Sequence, residues 1–220
     1  MRGPLSSDPA SFKDRHRRTF PLLIYVIRHG QTDWNAELRM QGQQDIGLNA
    51  LGRSQATQNG KALRQRLGPQ SADFDYVASP LGRTRETMEL LRTAMHLDPA
   101  GYRTDKRLLE VSFGDWEGFT LEELEQSTPE GIAARNAAKW DFIPPGEDAE
   151  SYEILSWRVG SWLKSVERPT VCVAHGGVIR SLFRLVADMP KEEASATPQP
   201  QDRILKIETS TGTIEWLPAS

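Results

Sequence analysis

An arginine and two histidines stand directly after two strand-like segments of the chain. Residues 22–27 form an apolar run that leads into Arg28 and His29, and a second apolar run at 171–174 leads into His175. Ligands of open α/β sheets bind beyond the carboxyl ends of the strands. Because two such ends each supply a histidine, we expect Arg28, His29 and His175 to meet at one ligand-binding site.

The candidate arginines suit a phosphoryl group. Such a group presents several charged oxygens, and a guanidinium binds them with a planar fork of donors that stays charged at any working pH. Arg28 and Arg83 are the two candidates, and Arg83 falls in the first turn of a predicted helix, where backbone amides also favour an anion. Gly176 and Gly177 let the backbone approach a ligand at the start of another helix.

Strands and helices alternate along most of the chain. Apolar periodicity and turn residues predict strands at 22–27, 74–78 and 171–174, and helices at 48–66, 81–95, 151–167 and 178–185. This alternation is typical of βαβ units, whose right-handed crossovers bring the strand ends to one edge. We predict a three-layer α/β sandwich, with a mostly parallel central sheet flanked by helices and the active site at the carboxyl edge of the strands.

The remaining segments predict shorter elements. Thr120 begins a capping-box sequence for a short helix, a helical stretch covers 131–140, and two runs at 204–208 and 213–217 predict a hairpin at a sheet edge. Periodicity places Leu51 on the buried face of the helix at 48–66 and Trp157 in the core. Residues 198–201 are a low-complexity segment.

Composition favours one globular domain. The 220 residues are 38% hydrophobic and 26% charged, with a net charge of −3, so no overall basic character points to nucleic acid or an anionic membrane. We expect a single domain at 21–217 after a poorly ordered extension at 1–20, whose basic cluster is a solvated tail or has a nucleic-acid or targeting role. The single cysteine, Cys172, excludes an intrachain disulfide, and the absence of a long apolar run predicts a soluble, cytoplasmic protein.

Metal and nucleotide chemistry find little support in the sequence. Cys172 and His175 lie three residues apart, but no second pair accompanies them. His96 stands at a predicted helix end and is interpreted as a surface or capping residue. No Walker or dinucleotide-binding glycine motif is present, so we expect neither a metal nor a cofactor.

Several motifs, taken together and in order, resemble the histidine phosphatase (phosphoglycerate mutase-like) superfamily, in its branch of phosphatases with an Arg-His-Gly motif. The resemblance covers about residues 22–217. It is carried by Arg28-His29-Gly30 with the Gln31–Asn35 stretch, Gln41-Gly42, Leu48-Asn49-Ala50-Leu51-Gly52, the Ser79–Thr87 stretch, Glu110 with Phe113-Gly114-Asp115-Trp116-Glu117-Gly118, and His175-Gly176.

The resemblance implies a role for each reactive side chain. His29 would be the nucleophile that forms a phosphohistidine, since neutral imidazole has a free lone pair. Arg28, Arg83 and His175 would hold the phosphoryl oxygens and stabilise transition-state charge, with His175 most effective when protonated. Glu110 would protonate the leaving oxygen and then activate water.

The same resemblance places five further residues at the substrate: Thr32, Asn35, Gln41, Gly42 and Gly176. The nearby aromatic residues either wall the pocket or pack in the core; they are Trp34, Phe113, Trp116, Trp140 and Phe142.

These roles predict a metal-independent phosphomonoesterase that acts on a small phosphorylated metabolite and releases inorganic phosphate. A phosphoglycerate mutase is the alternative. It is disfavoured because mutases resembling this family carry a Glu-Arg-His-Tyr-type segment where this chain has Glu110-Val111-Ser112-Phe113, and additional basic residues for the substrate carboxylate. They also have a longer C-terminal tail that helps exclude water. A phospho-ligand-binding module without catalysis is a third hypothesis. We expect no nucleic-acid or membrane partner; the sequence leaves a homodimer and the identity of the phosphomonoester open.

Overall fold

The computed structural model describes residues 22–219 of the chain. The predicted extension at 1–20, with its basic cluster, lies outside the described residues. Between residues 22 and 219, no helix is both long and apolar enough to cross a membrane.

One mixed sheet forms the centre of the described region, in the strand order β3, β2, β4, β1, β5, β6. The strands are β1 (Leu23–Arg28), β2 (Asp75–Ala78), β3 (Arg103–Thr104), β4 (Thr170–Ala174), β5 (Arg203–Glu208) and β6 (Thr213–Pro218). The pairs β1 with β4, β4 with β2, and β2 with β3 are parallel, whereas β5 and β6 form an antiparallel hairpin on β1. The predicted, mostly parallel α/β architecture is confirmed.

Helices cover both faces of this sheet. They are α1 (Asp33–Ala36), α2 (Ala50–Leu67), α3 (Gly82–Ala94), α4 (Leu121–Ser127), α5 (Pro129–Ala137), α6 (Tyr152–Lys164), α7 (Gly176–Val186) and α8 (Lys191–Ala196). The four long predicted helices correspond to α2, α3, α6 and α7, and Thr120 caps α4 as expected. The stretch predicted at 131–140 ends earlier, at Ala137, and the short α1, α8 and β3 were too brief for periodicity to predict.

Alternate residues of the central strands face opposite layers. Ile24 and Val26 of β1 pack with α6 and α7, while Tyr25 and Ile27 pack with α2 and α3. Burial of each such side chain stabilises the fold by about 1.5–3 kcal/mol. Because both faces of β1 are packed against helices, the strand fixes the position of His29, the residue that follows it.

Two predicted core residues are on the surface instead. Leu51 is 52% exposed and Trp157 is 67% exposed. In α6 the core face is formed by Leu155, Val159 and Trp162, at helical spacing, and Trp157 lies two residues, about 200°, from Leu155. The prediction was wrong for Trp157 because its position on the helix, and not the size of its apolar side chain, determines whether it faces the core.

Candidate active site

A cleft of about 190 Å³ lies at the carboxyl ends of β1 and β4. The predicted site residues that line it are Arg28, His29, Asn35, Gln41, Gly42, Arg83, Glu110 and Gly176. Thr32 and His175 are buried beside it. A larger surface groove between α6 and α7, of about 710 Å³, is lined by other residues, such as Trp157 and Leu185, so volume alone would point to the wrong place.

Among residues 22–219, His29 has one ring nitrogen that is hydrogen-bonded to the backbone and one without a hydrogen-bond partner. The backbone N–H of His29 donates to the Ala174 carbonyl at 3.0 Å, which continues the pairing of β1 with β4. The side chain is 3% exposed, and its Nδ1 lies 2.8 Å from the Gly30 carbonyl. Since a carbonyl only accepts, Nδ1 carries the proton and Nε2 keeps its lone pair. Burial, aided by Arg83 and Arg28, lowers the pKa of His29 well below its usual value, so the ring is neutral at neutral pH.

His175 lies against His29, with 5.2 Å between the ring centroids. It is fully buried, and its Nε2 lies 2.8 Å from the Ser79 hydroxyl oxygen at the end of β2. Burial is the main reason that its pKa is lowered well below the usual value, with Arg83 adding to the effect. His175 is therefore neutral at neutral pH in this structure, whereas the resemblance implied that it is most effective when protonated.

Arg83 projects from the first turn of α3 and is 1% exposed. Its guanidinium donates to the carbonyls of Gly42, at 2.7 Å, and Gln44, at 2.5 Å. Burial lowers the pKa of Arg83 to about 10, so the side chain stays charged at neutral pH. The N-terminus of α3 binds a carboxylate of the protein itself, since the Gly82 N–H donates to the Asp45 side chain at 2.9 Å.

Arg28 and the backbone of His29 are held by a segment that returns from far along the chain. Arg28 donates to the Gln199 carbonyl at 2.9 Å, and Gln201 donates to the His29 carbonyl and to Asn35 Oδ1, both at 3.1 Å. Both glutamines belong to the segment interpreted only as low-complexity, where nothing local indicated a role. Burial lowers the pKa of Arg28.

Glu110 is fixed at both its side chain and its backbone. Its carboxylate accepts the N–H of Val111 at 2.9 Å and that of Gly177 at 3.0 Å. A Cβ at Gly177 would overlap the Glu110 carboxylate, which explains the need for glycine there. The Glu110 carbonyl accepts from Arg158 at 2.9 Å, and Arg158 is paired with Glu150 at 2.7 Å.

Thr32 has a structural role in this arrangement. Its hydroxyl caps α1 by accepting the Asn35 N–H at 3.2 Å and donates to Gln41 Oε1 at 3.1 Å. Asn35 Nδ2 donates to the same Gln41 oxygen at 3.2 Å. Gln41 Nε2 is left buried with no hydrogen-bond partner among residues 22–219, which makes Gln41 a better candidate donor to a ligand than Thr32.

The aromatic residues near the cleft divide between wall and core. Phe113 lines the cleft. Trp116 and Phe142 stack on each other 5.1 Å apart in a small separate cluster, and Trp140 stacks at 5.6 Å on Tyr152, a cleft residue that sequence reasoning missed. Trp34 packs beside Gly118.

The candidate metal ligands do not form a cluster. Within the part of the chain that the structure describes, no group of three or more His, Cys, Asp and Glu side chains has the arrangement of a metal site. Cys172 is buried in β4, and burial raises the pKa of its thiol. The metal-free character of the site stays a prediction.

The whole described core matches a known family. Residues 24–217 match the model of the histidine phosphatase superfamily, branch 1. The phosphoglycerate mutase-like protein 4 of Arabidopsis thaliana is 35% identical over 166 residues, which cover 73% of this chain and 69% of that protein. The glucosyl-3-phosphoglycerate phosphatase of Mycobacterium tuberculosis is 34% identical over 181 residues, 76% of each chain.

Solved structures show the same relationship. The mycobacterial glucosyl-3-phosphoglycerate phosphatase in complex with VO3 superposes with a TM-score of 0.69 at 30% identity, covering 90% of this chain and 96% of that chain. These matches confirm the resemblance found in the sequence motifs and the prediction of an enzyme of the phosphoric monoester hydrolase class. The chain belongs to the histidine phosphatase superfamily, branch 1.

Proposed function

We propose that the chain hydrolyses the phosphomonoester of a small metabolite, without a metal ion, through a phosphohistidine on His29. The observation that carries this proposal is the hydrogen bond from His29 Nδ1 to the Gly30 carbonyl. It leaves Nε2 as the unprotonated nitrogen of a neutral ring that lines the cleft, which is the state required of a nucleophile.

In the first step His29 Nε2 attacks phosphorus and the bond to the ester oxygen breaks. Glu110, in its acid form, gives its proton to the departing oxygen. Arg28 and Arg83 stabilise the charge on the phosphoryl oxygens, and the bound dianion favours protonation of His175. The Gly30 carbonyl stabilises the Nδ1–H of the phosphorylated ring.

In the second step the Glu110 carboxylate takes a proton from a water molecule, whose oxygen attacks phosphorus as the bond to Nε2 breaks. Inorganic phosphate leaves, His29 is again neutral and Glu110 again carries its proton. Glu110 is half-buried at the cleft, so water can reach the phosphoenzyme. The presence of His29 and Glu110 in one cleft supports catalysis over a purely binding role.

The relatives' names leave hydrolysis and isomerisation to be separated by experiment. One relative is named a glucosyl-3-phosphoglycerate phosphatase and another, from Salmonella arizonae, a probable phosphoglycerate mutase. We favour hydrolysis because Glu110 is followed by Val111-Ser112-Phe113, where mutases resembling the family carry basic residues.

The test is to incubate the protein with 3-phosphoglycerate and excess EDTA and to follow both products by ³¹P NMR. We expect inorganic phosphate to accumulate at the rate found without EDTA. Formation of 2-phosphoglycerate without phosphate release, stimulated by bisphosphoglycerate, would make the protein a mutase. Activity that EDTA removes and Mg²⁺ or Zn²⁺ restores would contradict the metal-free mechanism.

We further propose that residues 21–217 act as one catalytic domain in the cytoplasm. The two large core clusters lie on opposite faces of one sheet, which supports a single domain. The lone Cys172, buried as a free thiol, suits a reducing compartment.

A further inference from the structure

Two arginines outside the predicted catalytic set line the same cleft. Arg180 lies on α7, four residues after Gly176 and so about 6 Å further along the same helix face. Its guanidinium donates to the Tyr152 hydroxyl at 2.8 Å. Arg135 lies in the last turn of α5. Arg135, Tyr152 and Arg180 line the cleft together with His29, and we call these three residues the distal cluster.

The distal cluster adds positive charge that the protein does not neutralise. Among the described residues, five arginines line the cleft against one carboxylate, that of Glu110, whose oxygens are engaged by backbone amides. One of the five, Arg39, is paired with Glu37 and Glu123. Among the described residues, no carboxylate lies within 4.0 Å of Arg28, Arg135 or Arg180. Paired arginines are common elsewhere, so the cleft differs from the rest of the surface.

Donors in the cluster also lack partners. Arg180 Nε is buried without a hydrogen-bond partner in the region 22–219. Within residues 22–219, Arg135 donates only to the Asn136 side chain, at 3.0 Å. Buried cationic donors without acceptors are costly, and a bound anion would offset that cost.

The two arginines of the distal cluster also affect the nearby Lys139. Lys139 donates to the Ser195 carbonyl, and burial, together with Arg180 and Arg135, lowers its pKa to about 8. Burial also lowers the pKa of Arg135. An anion held between these side chains would reduce their mutual repulsion.

The spacing of residues on α7 sets the distance between the two anions that the cleft would hold. Arg180 lies one helical turn, about 6 Å, beyond Gly176 at the phosphoryl end of the cleft. A second anion would therefore lie a few atoms from the scissile phosphoryl group. A guanidinium pairs best with a carboxylate or phosphate, which match its fork of donors.

Building on the proposed function, we propose that the distal cluster binds a second anionic group of the substrate, a carboxylate or a second phosphate a few atoms from the scissile phosphoryl group. The physiological substrate is then a small phosphomonoester with at least one further negative charge. Arg135 and Arg180 determine this specificity without touching the reacting atoms.

Binding of non-hydrolysable phosphonates tests the proposal independently of turnover. The phosphonate analogue of 3-phosphoglycerate is compared by calorimetry with that of glycerol 3-phosphate, which has CH₂OH in place of the carboxylate. A second pair compares, also by calorimetry, the bisphosphonate analogue of 1,3-propanediol bisphosphate with the monophosphonate analogue of 3-hydroxypropyl phosphate, so the two arms distinguish a carboxylate from a phosphate. Variants R135Q and R180Q are measured beside R184Q, a control on α7 whose arginine pairs with Asp188 outside the cleft.

We expect R135Q and R180Q to weaken binding of the ligand that carries the second anionic group about 10–100-fold, as loss of a charge-assisted hydrogen bond does. Binding of its uncharged counterpart should change less than about threefold, and R184Q should leave both unchanged. Equal losses within both pairs, or no preference in the wild type for the ligand with the extra charge, would overturn the subsite. Hydrolysis of p-nitrophenyl phosphate by the wild type tests the proposed function separately, since that substrate has no second anion.

Discussion

The two ends of the cleft are built in different ways. At the sheet end, His29 and His175 follow directly on paired parallel strands, and Arg83 is bonded to two backbone carbonyls. At the distal end, Arg135 and Arg180 are half-buried side chains on separate helices, with few protein partners. The first arrangement fixes geometry and the second supplies charge. We therefore expect substitutions at the sheet end to lower the rate for every phosphomonoester, and those at the distal end to affect only substrates with a second anion.

Loss of the acid–base group at the sheet end should give the largest effect. The E110Q variant should hydrolyse an alkyl phosphate about 10²–10⁴-fold more slowly, because the leaving alkoxide needs a proton. An aryl phosphate, with its better leaving group, should form the phosphoenzyme at a nearly normal rate and then show a burst followed by slow turnover. Stopped-flow release of p-nitrophenol, beside phosphate release from an alkyl substrate, measures both.

Small and uniform losses on both substrates would remove Glu110 from the mechanism. Glu117 is then a poor replacement, because its carboxylate already accepts the N–H groups of Gln43 and Phe113. Asp115 would be the carboxylate to test next.

Arg83, whose guanidinium is bonded to backbone carbonyls, should contribute more to kcat/KM than Arg85, which is exposed on the same helix. We expect R83A to lower kcat/KM by about 10²–10³ for aryl and alkyl phosphates alike, since preorganised donors act on transition-state charge. Arg85 is exposed on α3, so R85A should have little effect. R83K, which keeps the charge without the fork, should fall between them, and melting temperatures of all three verify the fold. Comparable damage from R83A and R85A would show that the wrong arginine is assigned.

The two buried histidines should make stability depend on pH. Their pKa values are lowered in the folded protein, so below about pH 6.5 the unfolded chain binds protons that the folded chain does not. Stability should therefore fall as the pH is lowered through 6.5, by up to about 1.4 kcal/mol per pH unit for each histidine. Urea unfolding at pH 7.5, 6.5 and 5.5 measures this slope, and H29N/H175Q should have a smaller one. Identical slopes in the two proteins would mean that both histidines titrate normally when folded.

Sequence reasoning predicted the sheet end well because its signals are local. An apolar run that ends in Arg28-His29-Gly30 specifies both a buried strand and the side chains at its end, and the same holds for the strand before His175. The helix after Ser79 was predicted on similar grounds, which placed Arg83 in its first turn.

The supporting contacts could not be predicted because they join distant parts of the chain. Gln201 reaches His29 across 172 positions, and its own neighbourhood gave no indication of a role. The arginines of the distal cluster resemble any charged helix residue in the sequence. Only the tertiary arrangement shows that they face one cleft, with no carboxylate partner in the described part of the chain. The neutral state of His175 likewise depends on its full burial, which the motif does not reveal.

The central claim, that His29 carries the phosphoryl group during turnover, is tested most directly by trapping the intermediate. The protein is mixed with ³²P-labelled substrate for milliseconds and quenched in alkali, where phosphohistidine survives, and the labelled peptide is mapped by mass spectrometry. We predict near-stoichiometric label on the peptide containing His29, lost on acid treatment and absent from H29N. Equal labelling of H29N, or an acid-stable label on another residue, would contradict the account.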